Sequence, residues 1–412
     1  MESHPTLSID RRRLIGGAAA LGSLAGLAGC ASGQGAVVTS SGLIAKGGAQ
    51  SAIALAPIRA SADRLFDITV CLRPFRAEGP RIETEQVGDT LVVHNYGHGG
   101  SGWSLSWGSG AVAVRLAMES GPAEVAVIGC GALGLTAATL AQRAGAKVTI
   151  YARDSPPDTR SARATGAFTP DSRIALASKV APGFPALWEQ MARTSFKSFR
   201  SYLGLPGAPV EFSDRYYLSD APPDAPSSVA PAPDPPGYLD FASYGASIHD
   251  IVPRPTLLPP GATPFASRYV RRNTALMFNI ADYAHTLMSD FLIAGGRFER
   301  REFQAPSQIA ALPQKVVINC PGYGARALWK DESIVPVRGQ IAWLMPQPEV
   351  DYGVYFGDMG VLSRRDGIVM QMFDGGDMRG YGDDNETIDP AEAQTALARV
   401  AGVYAKFGKG AG

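Results

Sequence analysis

One β-α-β unit limits what this chain can fold into more than any other feature. Glu124-Val125-Ala126-Val127-Ile128 reads as a strand buried on both faces, and Lys147-Val148-Thr149-Ile150-Tyr151 as its neighbour. Between them stand Gly129-Cys130-Gly131-Ala132-Leu133-Gly134 and a helical stretch over residues 135–144. The first two glycines let the backbone turn tightly and come close to a pyrophosphate, while Gly134 lets the helix pack close to the strand. The helix N-terminus then favours the phosphate charge. A GxGxxG is weak alone, but here strand and helix stand where a dinucleotide fingerprint needs them. The chain is therefore expected to be α/β with a Rossmann-like domain.

The N-terminus reads as a targeting segment over residues 1–30. Asp10-Arg11-Arg12-Arg13-Leu14-Ile15 fits a twin-arginine export signal, and a small-residue apolar run follows it. The run ends in Leu27-Ala28-Gly29-Cys30, which resembles a lipoprotein cleavage box with Cys30 as the acylated residue. Residues 31–60 are rich in Gly, Ala and Ser and read as a tether. The expectation is a bacterial protein exported already folded and held by lipid to a membrane, facing the periplasm or cell exterior. Lys plus Arg equals Asp plus Glu at 38 each, so no global field recruits nucleic acid. Beyond Cys30 three cysteines remain, which argues against a disulfide framework. Cys130 and Cys320 read as small packing residues. Without a CxxC pair or a His/Cys cluster at ligand spacing, no metal is expected.

Further along, Asp67-Ile68-Thr69-Val70 and Thr90-Leu91-Val92-Val93 read as short strands, and residues 109–119 as helical. Residues 280–294 read as a helix, Lys315-Val316-Val317-Ile318-Asn319 as a buried strand, and residues 389–407 as helical. Fourteen of the 31 prolines lie within residues 205–265, so residues 201–270 are expected to be a loop-dominated segment on the substrate side. Asp366-Gly367, between two strand-like runs, reads as a hairpin turn.

The run from His94 to Gly108, HNYGHGGSGWSLSWG, resembles a signature of the D-amino-acid oxidase family of flavoproteins. Residues 152–170 resemble that family's flavin-covering loop, and Asn319-Cys320-Pro321-Gly322 its strand-end Asn-Cys-x-Gly. Arg338-Gly339-Gln340 resembles its Arg-Gly-Gln strand, and Arg73-Pro74-Phe75-Arg76 its Arg-Pro-x-Arg element. In the family the glycine-rich signature follows the fingerprint; here it precedes it. The pieces take the family order only if the start of the mature chain is placed after residue 412, as in a circular permutation. The alternative is a homodimer whose two chains exchange residues 63–119.

The resemblance implies FAD as cofactor, held in a Rossmann-like domain beside a mixed, largely antiparallel substrate sheet. Residues 61–119 would form the permuted segment, 120–200 and 271–334 the FAD-binding domain, and 335–412 the substrate domain. Gly129, Gly131, Ala132, Leu133 and Gly134 would receive the cofactor, together with Arg153 and Asp154 after the second strand. That strand end reads Tyr151-Ala152-Arg153-Asp154, with the usual acid displaced by one position. Some family members share the Ala-Arg-Asp order, but Arg153 also leaves open a 2′-phosphate and hence an NADP-dependent dehydrogenase. Gly99, Gly100, Ser101, Gly102, Trp103 and Ser104 would lie against the flavin, with the Gly100 carbonyl toward the substrate amine. Arg73 would clamp the substrate carboxylate bidentately, and Tyr355 would contact the same group. Met359 stands where the family has a second tyrosine, which removes a hydroxyl. His94 and His98 read as hydrogen-bonded structural residues rather than bases, since the resemblance implies catalysis by orientation without an obligatory protein base. The implied reaction is oxidation of a small D-amino acid, or related amine acid, to an imino acid, with oxygen or a respiratory acceptor taking the electrons. A flavin-binding lipoprotein without turnover is the alternative from another class.

Overall fold

The computed structural model describes residues 53–222 and 237–409. The expected export segment with Arg11, Arg12 and Cys30 lies outside the described residues, as do residues 31–52 of the expected tether and part of the proline-rich stretch.

Among the described residues, one sheet has six strands. They run β2 (Thr84–Val87), β3 (Thr90–His94), β10 (Val316–Asn319), β4 (Glu124–Ile128), β5 (Lys147–Ala152) and β9 (Arg297–Arg300). All pairs are parallel except β2 with β3. Alternation along β4 explains why both its faces are apolar. Val125 and Val127 join a core with helices α1 (Gly102–Ala117), α2 (Ala132–Arg143) and α4 (Ile280–Ile293), while Ala126 and Ile128 face α5 (Pro306–Ala310) and α6 (Ala325–Leu328). Each large side chain fully buried there contributes roughly 1.5–3 kcal/mol. Helix α1 also meets α3 (Phe184–Phe199). A Cβ at Gly108 would run into the Met191 backbone, so glycine sets how closely these two helices approach.

The second sheet has eight strands, in the order β1 (Leu65–Arg76), β11 (Ile334–Leu344), β14 (Gly367–Met372), β13 (Met359–Arg364), β12 (Tyr352–Phe356), β6 (Val210–Ser219), β8 (Tyr269–Phe278) and β7 (Thr256–Leu257). Its pairs are antiparallel except β12 with β6. On β11, Ala342 and Leu344 pack beneath α7 (Pro390–Tyr404), whereas Gly339 and Ile341 face a cavity on the opposite side. Helix α7 opens on Asp389, whose carboxylate accepts from the amides of Ala391 and Glu392.

The segment that precedes the fingerprint belongs to both sheets. β1 pairs with β11 from Leu65 to Arg76, and β3 lies beside β10. Residues 53–60, expected as the end of the tether, instead pack on the body. Ile58 is buried, Tyr352 donates to the Ala56 carbonyl, and Gln347 accepts from the Arg59 amide. The two ends of the described chain meet on one loop: the Ile53 amide donates to Ala262 O at 2.8 Å and the Gly408 amide to Pro264 O at 2.7 Å.

Two expected boundaries move. The proline-rich segment carries β6, a full ten-residue strand. β8, expected within the dinucleotide domain, pairs along its length with β6, so that domain resumes only at Asn279. Alternation in β6 is hidden in the sequence because polar residues sit at buried positions. Arg215 is only 5% exposed and donates from Nη2 to Leu276 O, while its Nε has no partner among the described residues.

Candidate active site

The fingerprint opens a groove of about 670 Å³ at the carboxyl ends of β4, β5 and β10. Gly129 adopts φ +97°, a conformation that L side chains rarely take, and a Cβ there would overlap Cys320 O. A Cβ on Gly131 would lie 2.6 Å from Ser161 Oγ, which accepts from the Ala132 amide at 3.1 Å. The amides of Leu133 and Gly134 have no acceptor among the described residues, leaving the N-terminus of α2 open to an anion. Gly134 serves packing: a Cβ there would overlap Gly129 O, and the residue does not line the groove.

At the end of β5, Arg153 and Asp154 pair with each other. Asp154 accepts from Arg153 Nε and Nη2, and Glu302 stands 3.4 Å from Nη1. Hydrogen bonding to Arg153 holds the Asp154 carboxyl below its usual range. One guanidinium between two carboxylates favours a ribose diol over a 2′-phosphate, which weakens the dehydrogenase alternative. Glu302, on the loop after β9, escaped sequence reading because nothing near it marks it as a groove residue.

The groove continues into a second cavity of about 260 Å³; Ala132, Leu133, Arg160, Ser161 and Tyr323 line both. Arg73 and Tyr355 come together here. The register explains Arg73: it shares a face of β1 with Cys71, which pairs with Gly339 on β11. The guanidinium lies across Gly339, where a Cβ would overlap it. Its one hydrogen bond is to Arg338 O at 3.3 Å, and it forms no ion pair among the described residues. Removal from water pushes its pKa down, with Cys71 and Asp377 opposing. Tyr355 is held by stacking on Tyr217 at 5.0 Å and 14°.

Met359 is not a substrate-side position. The turn at Gly357-Asp358 pairs Tyr355 with Gly360 and Phe356 with Met359. Parity therefore sends Met359 into the core beneath α7 and leaves Gly360 at the cavity. A hydroxyl at 359 would not reach a ligand beside Tyr355.

The glycine-rich signature is explained mainly by a second strand of backbone lying over it. A Cβ on Gly99 would overlap Arg173 O, and one on Gly100 would lie 2.5 Å from Ser172 Oγ. The Gly99 amide donates to Pro74 O and the Gly100 amide to Ser172 O, so neither amide is free for a cofactor. The Gly100 carbonyl accepts no backbone amide among the described residues. Ser101 and Ser104 also depart from expectation. Ser101 Oγ donates to Ser172 O, Ser104 Oγ accepts from the Thr169 amide, and neither residue lines the groove or the cavity. Gly102 and Trp103 do line the cavity, and Trp103 Nε1 donates to Ser161 O.

The two histidines differ. His94 fits the structural reading: Nδ1 accepts from Asn319 and Nε2 donates to Glu85. His98 does not. It is 1% exposed, neither ring nitrogen has a partner among the described residues, and burial pushes its pKa down to about 3. A neutral imidazole thus borders the cavity without a hydrogen bond.

Arg173, Arg160 and Arg163 also line this cavity; Arg160 and Arg163 fall in the stretch that resembles the flavin-covering loop, whereas nothing in the sequence pointed to Arg173. Arg160 and Arg163 lean on Glu386, from beyond β14.

The family model for the FAD dependent oxidoreductases (DAO) matches residues 124–410. The chain belongs to this family. It is 30% identical over 219 residues to a D-amino-acid oxidase of Rubrobacter xylanophilus, covering 53% of this chain and 58% of that one. It is 49% identical over 57 residues to a D-amino-acid oxidase of Dictyostelium discoideum, 13% of this chain and 16% of the other. The chain spans about half the length, or less, of the curated relatives it matches. An L-amino acid deaminase structure from Proteus vulgaris overlaps it at a TM-score of 0.44 and 12% identity, covering 69% of this chain and 75% of that one.

Membership brings FAD as the cofactor, and the groove fits it. Gly129 and Gly131 keep the fingerprint clear of side chains, the start of α2 offers unpaired amides, and the Asp154 and Glu302 carboxylates suit a ribose. The groove then leads to the cavity that holds Arg73.

Proposed function

We propose that this FAD-dependent oxidoreductase oxidises a small D-amino acid, or a related amine acid, to the imino acid, which water converts to a 2-oxo acid and ammonia. One observation carries the reading: a half-buried guanidinium with no carboxylate partner among the described residues faces a cavity continuous with the cofactor groove. A cation partly withdrawn from water without a counter-ion is costly, and a substrate carboxylate would relieve that cost. FAD, when bound, supplies the two-electron acceptor for the amine's oxidation, and oxygen or a respiratory acceptor takes the electrons on. The chain's own contribution is placement. Arg73 presents a planar fork to the carboxylate, Tyr355 adds a hydroxyl, and the Gly100 carbonyl can accept from the amine. His98, uncharged, leaves the cavity's field to the arginines. The apolar walls, including Ile341, Leu362 and Val369, keep the reacting carbon from bulk water. The reading is tested by incubating the purified protein with a panel of D-amino acids and measuring 2-oxo acid and ammonia. Release from at least one D-amino acid supports it. Bound flavin without any release would favour a flavin-binding protein that lacks turnover.

The permuted chain order is part of this proposal. It is supported by the meeting of residues 53 and 408 on one loop and by the eleven-residue match of β1 to β11 within one chain. The export reading stands beside it, with Cys30 lipidated and the protein held to a membrane on the outer side. Replacing Arg11 and Arg12 by Lys should keep the flavin-loaded protein in the cytoplasm, and fractionation that still finds it exported would remove the twin-arginine reading.

A further inference from the structure

Arg173 is a cavity residue whose charge the reaction above does not use and no close carboxylate answers. Its backbone has φ +48°, unusual outside glycine, and its carbonyl lies against Gly99. The side chain is 11% exposed. Nε donates to Asp377 O at 2.7 Å and Nη2 to Gly376 O at 3.0 Å, which leaves Nη1 without a partner among the described residues. The nearest carboxylate, Asp377 Oδ1, is 3.6 Å away on a side chain 52% exposed. A pair so long and so open to water is weak. Elsewhere the cations near the cavity are matched: Arg160 and Arg163 by Glu386, and Arg379 by Asp374 and Glu392. Two guanidinium groups, Arg73 and Arg173, thus line one small cavity with little opposing charge. Arg73 contributes, after burial, to holding Arg173 down at about 10.

We propose that Arg73 and Arg173 form a two-carboxylate site, so that the substrate is an amino acid with a short acidic side chain. The inference rests on the reading of Arg73 as the clamp for the α-carboxylate. One carboxylate answers Arg73, and the second answers the free edge of Arg173. The cavity of about 260 Å³ limits the side chain to a few atoms. A competing role for Arg173 is mechanical, since its bonds to Gly376 and Asp377 tie down the loop after β14. The two roles separate by substrate. A loop clamp would affect every substrate alike, whereas a carboxylate partner discriminates D-aspartate from its neutral isostere D-asparagine.

The test compares kcat/KM of the FAD-loaded enzyme on these two substrates, for the native protein and Arg173→Met. A charge-assisted hydrogen bond in a desolvated site predicts a preference for D-aspartate of at least about tenfold. In Arg173→Met, turnover of D-aspartate should fall at least about tenfold more than that of D-asparagine. A native ratio near one, or equal losses on both substrates, overturns the proposal. Binding of succinate and butyrate to the same proteins, followed by calorimetry, decides the point even if no D-amino acid is oxidised. Tighter succinate binding that Arg173→Met abolishes supports the two-carboxylate site, and equal binding of the two acids contradicts it. Failure of turnover with retained succinate selectivity would instead count against the oxidation reading alone.

Discussion

Arg73 and Arg173 show opposite degrees of legibility. Arg73 stands in an Arg-Pro-x-Arg element with a family resemblance, and the sheet register places it over Gly339. Arg173 sits in Asp171-Ser172-Arg173, which reads as an ordinary surface turn, and its partners lie some two hundred residues onward at Gly376 and Asp377. No local pattern reports a contact of that range. The same limit explains Ser101 and Ser104, whose motif is legible while the backbone that covers it is not. His98 was expected to be hydrogen-bonded, and its isolation follows from a cavity that only the fold creates. For the assigned residues the order of damage is definite. Arg73→Lys keeps the charge and loses the fork, at roughly 1.5–3 kcal/mol, so kcat/KM should fall at least about tenfold. Tyr355→Phe removes one neutral donor, worth about 0.5–1.5 kcal/mol, and should be milder. Steady-state kinetics that reverse this order would move the clamp away from Arg73.

The elements most visible in the sequence are those whose period is clean. β4, α2, β5, α4 and α7 fall within a few residues of expectation, since apolar spacing and helical composition announce them. The hairpin that Asp-Gly signalled is present, but its two-residue turn is Arg365-Asp366: Arg364 pairs with Gly367, which already belongs to β14. β6 was lost because Arg215 is buried and Asp214 is occupied by Thr274 and Arg272, so polarity there does not mean exposure. α1 begins earlier than expected because its first turn lies inside the glycine-rich signature. At this scale the fingerprint turn carries a prediction. Gly131→Val directs a branched side chain at Ser161 Oγ and crowds the place where a pyrophosphate would meet the start of α2. The variant should lose FAD, read as flavin absorbance per chain after purification, while circular dichroism keeps most of its helix signal. Full flavin occupancy would show that the groove holds something else.

At the scale of the whole molecule, chain order and chemistry are linked. Arg73 precedes the fingerprint, yet it lies in a cavity continuous with the fingerprint's groove. The Ile53 and Gly408 amides bind to neighbouring carbonyls, so these ends could be joined by a short linker without disturbing either sheet. A chain with residues 409 and 53 joined, and opened instead between Glu119 and Glu124, should fold as a monomer and bind FAD. Size-exclusion chromatography that shows only dimers for the native chain, together with failure of the rejoined one, would favour exchange of residues 63–119 between two chains. Family and cofactor follow from residues 124–410, but the proposed substrate clamp comes from the residues before them. The most direct test joins the two. FAD-loaded native protein and Arg73→Ala are mixed without oxygen with an oxidisable D-amino acid, and the visible flavin absorbance is followed. Both proteins should carry flavin; the native flavin should bleach, and bleaching in Arg73→Ala should be slower by well over about tenfold. Equal bleaching rates in the two proteins, or a native protein without flavin, would contradict the account.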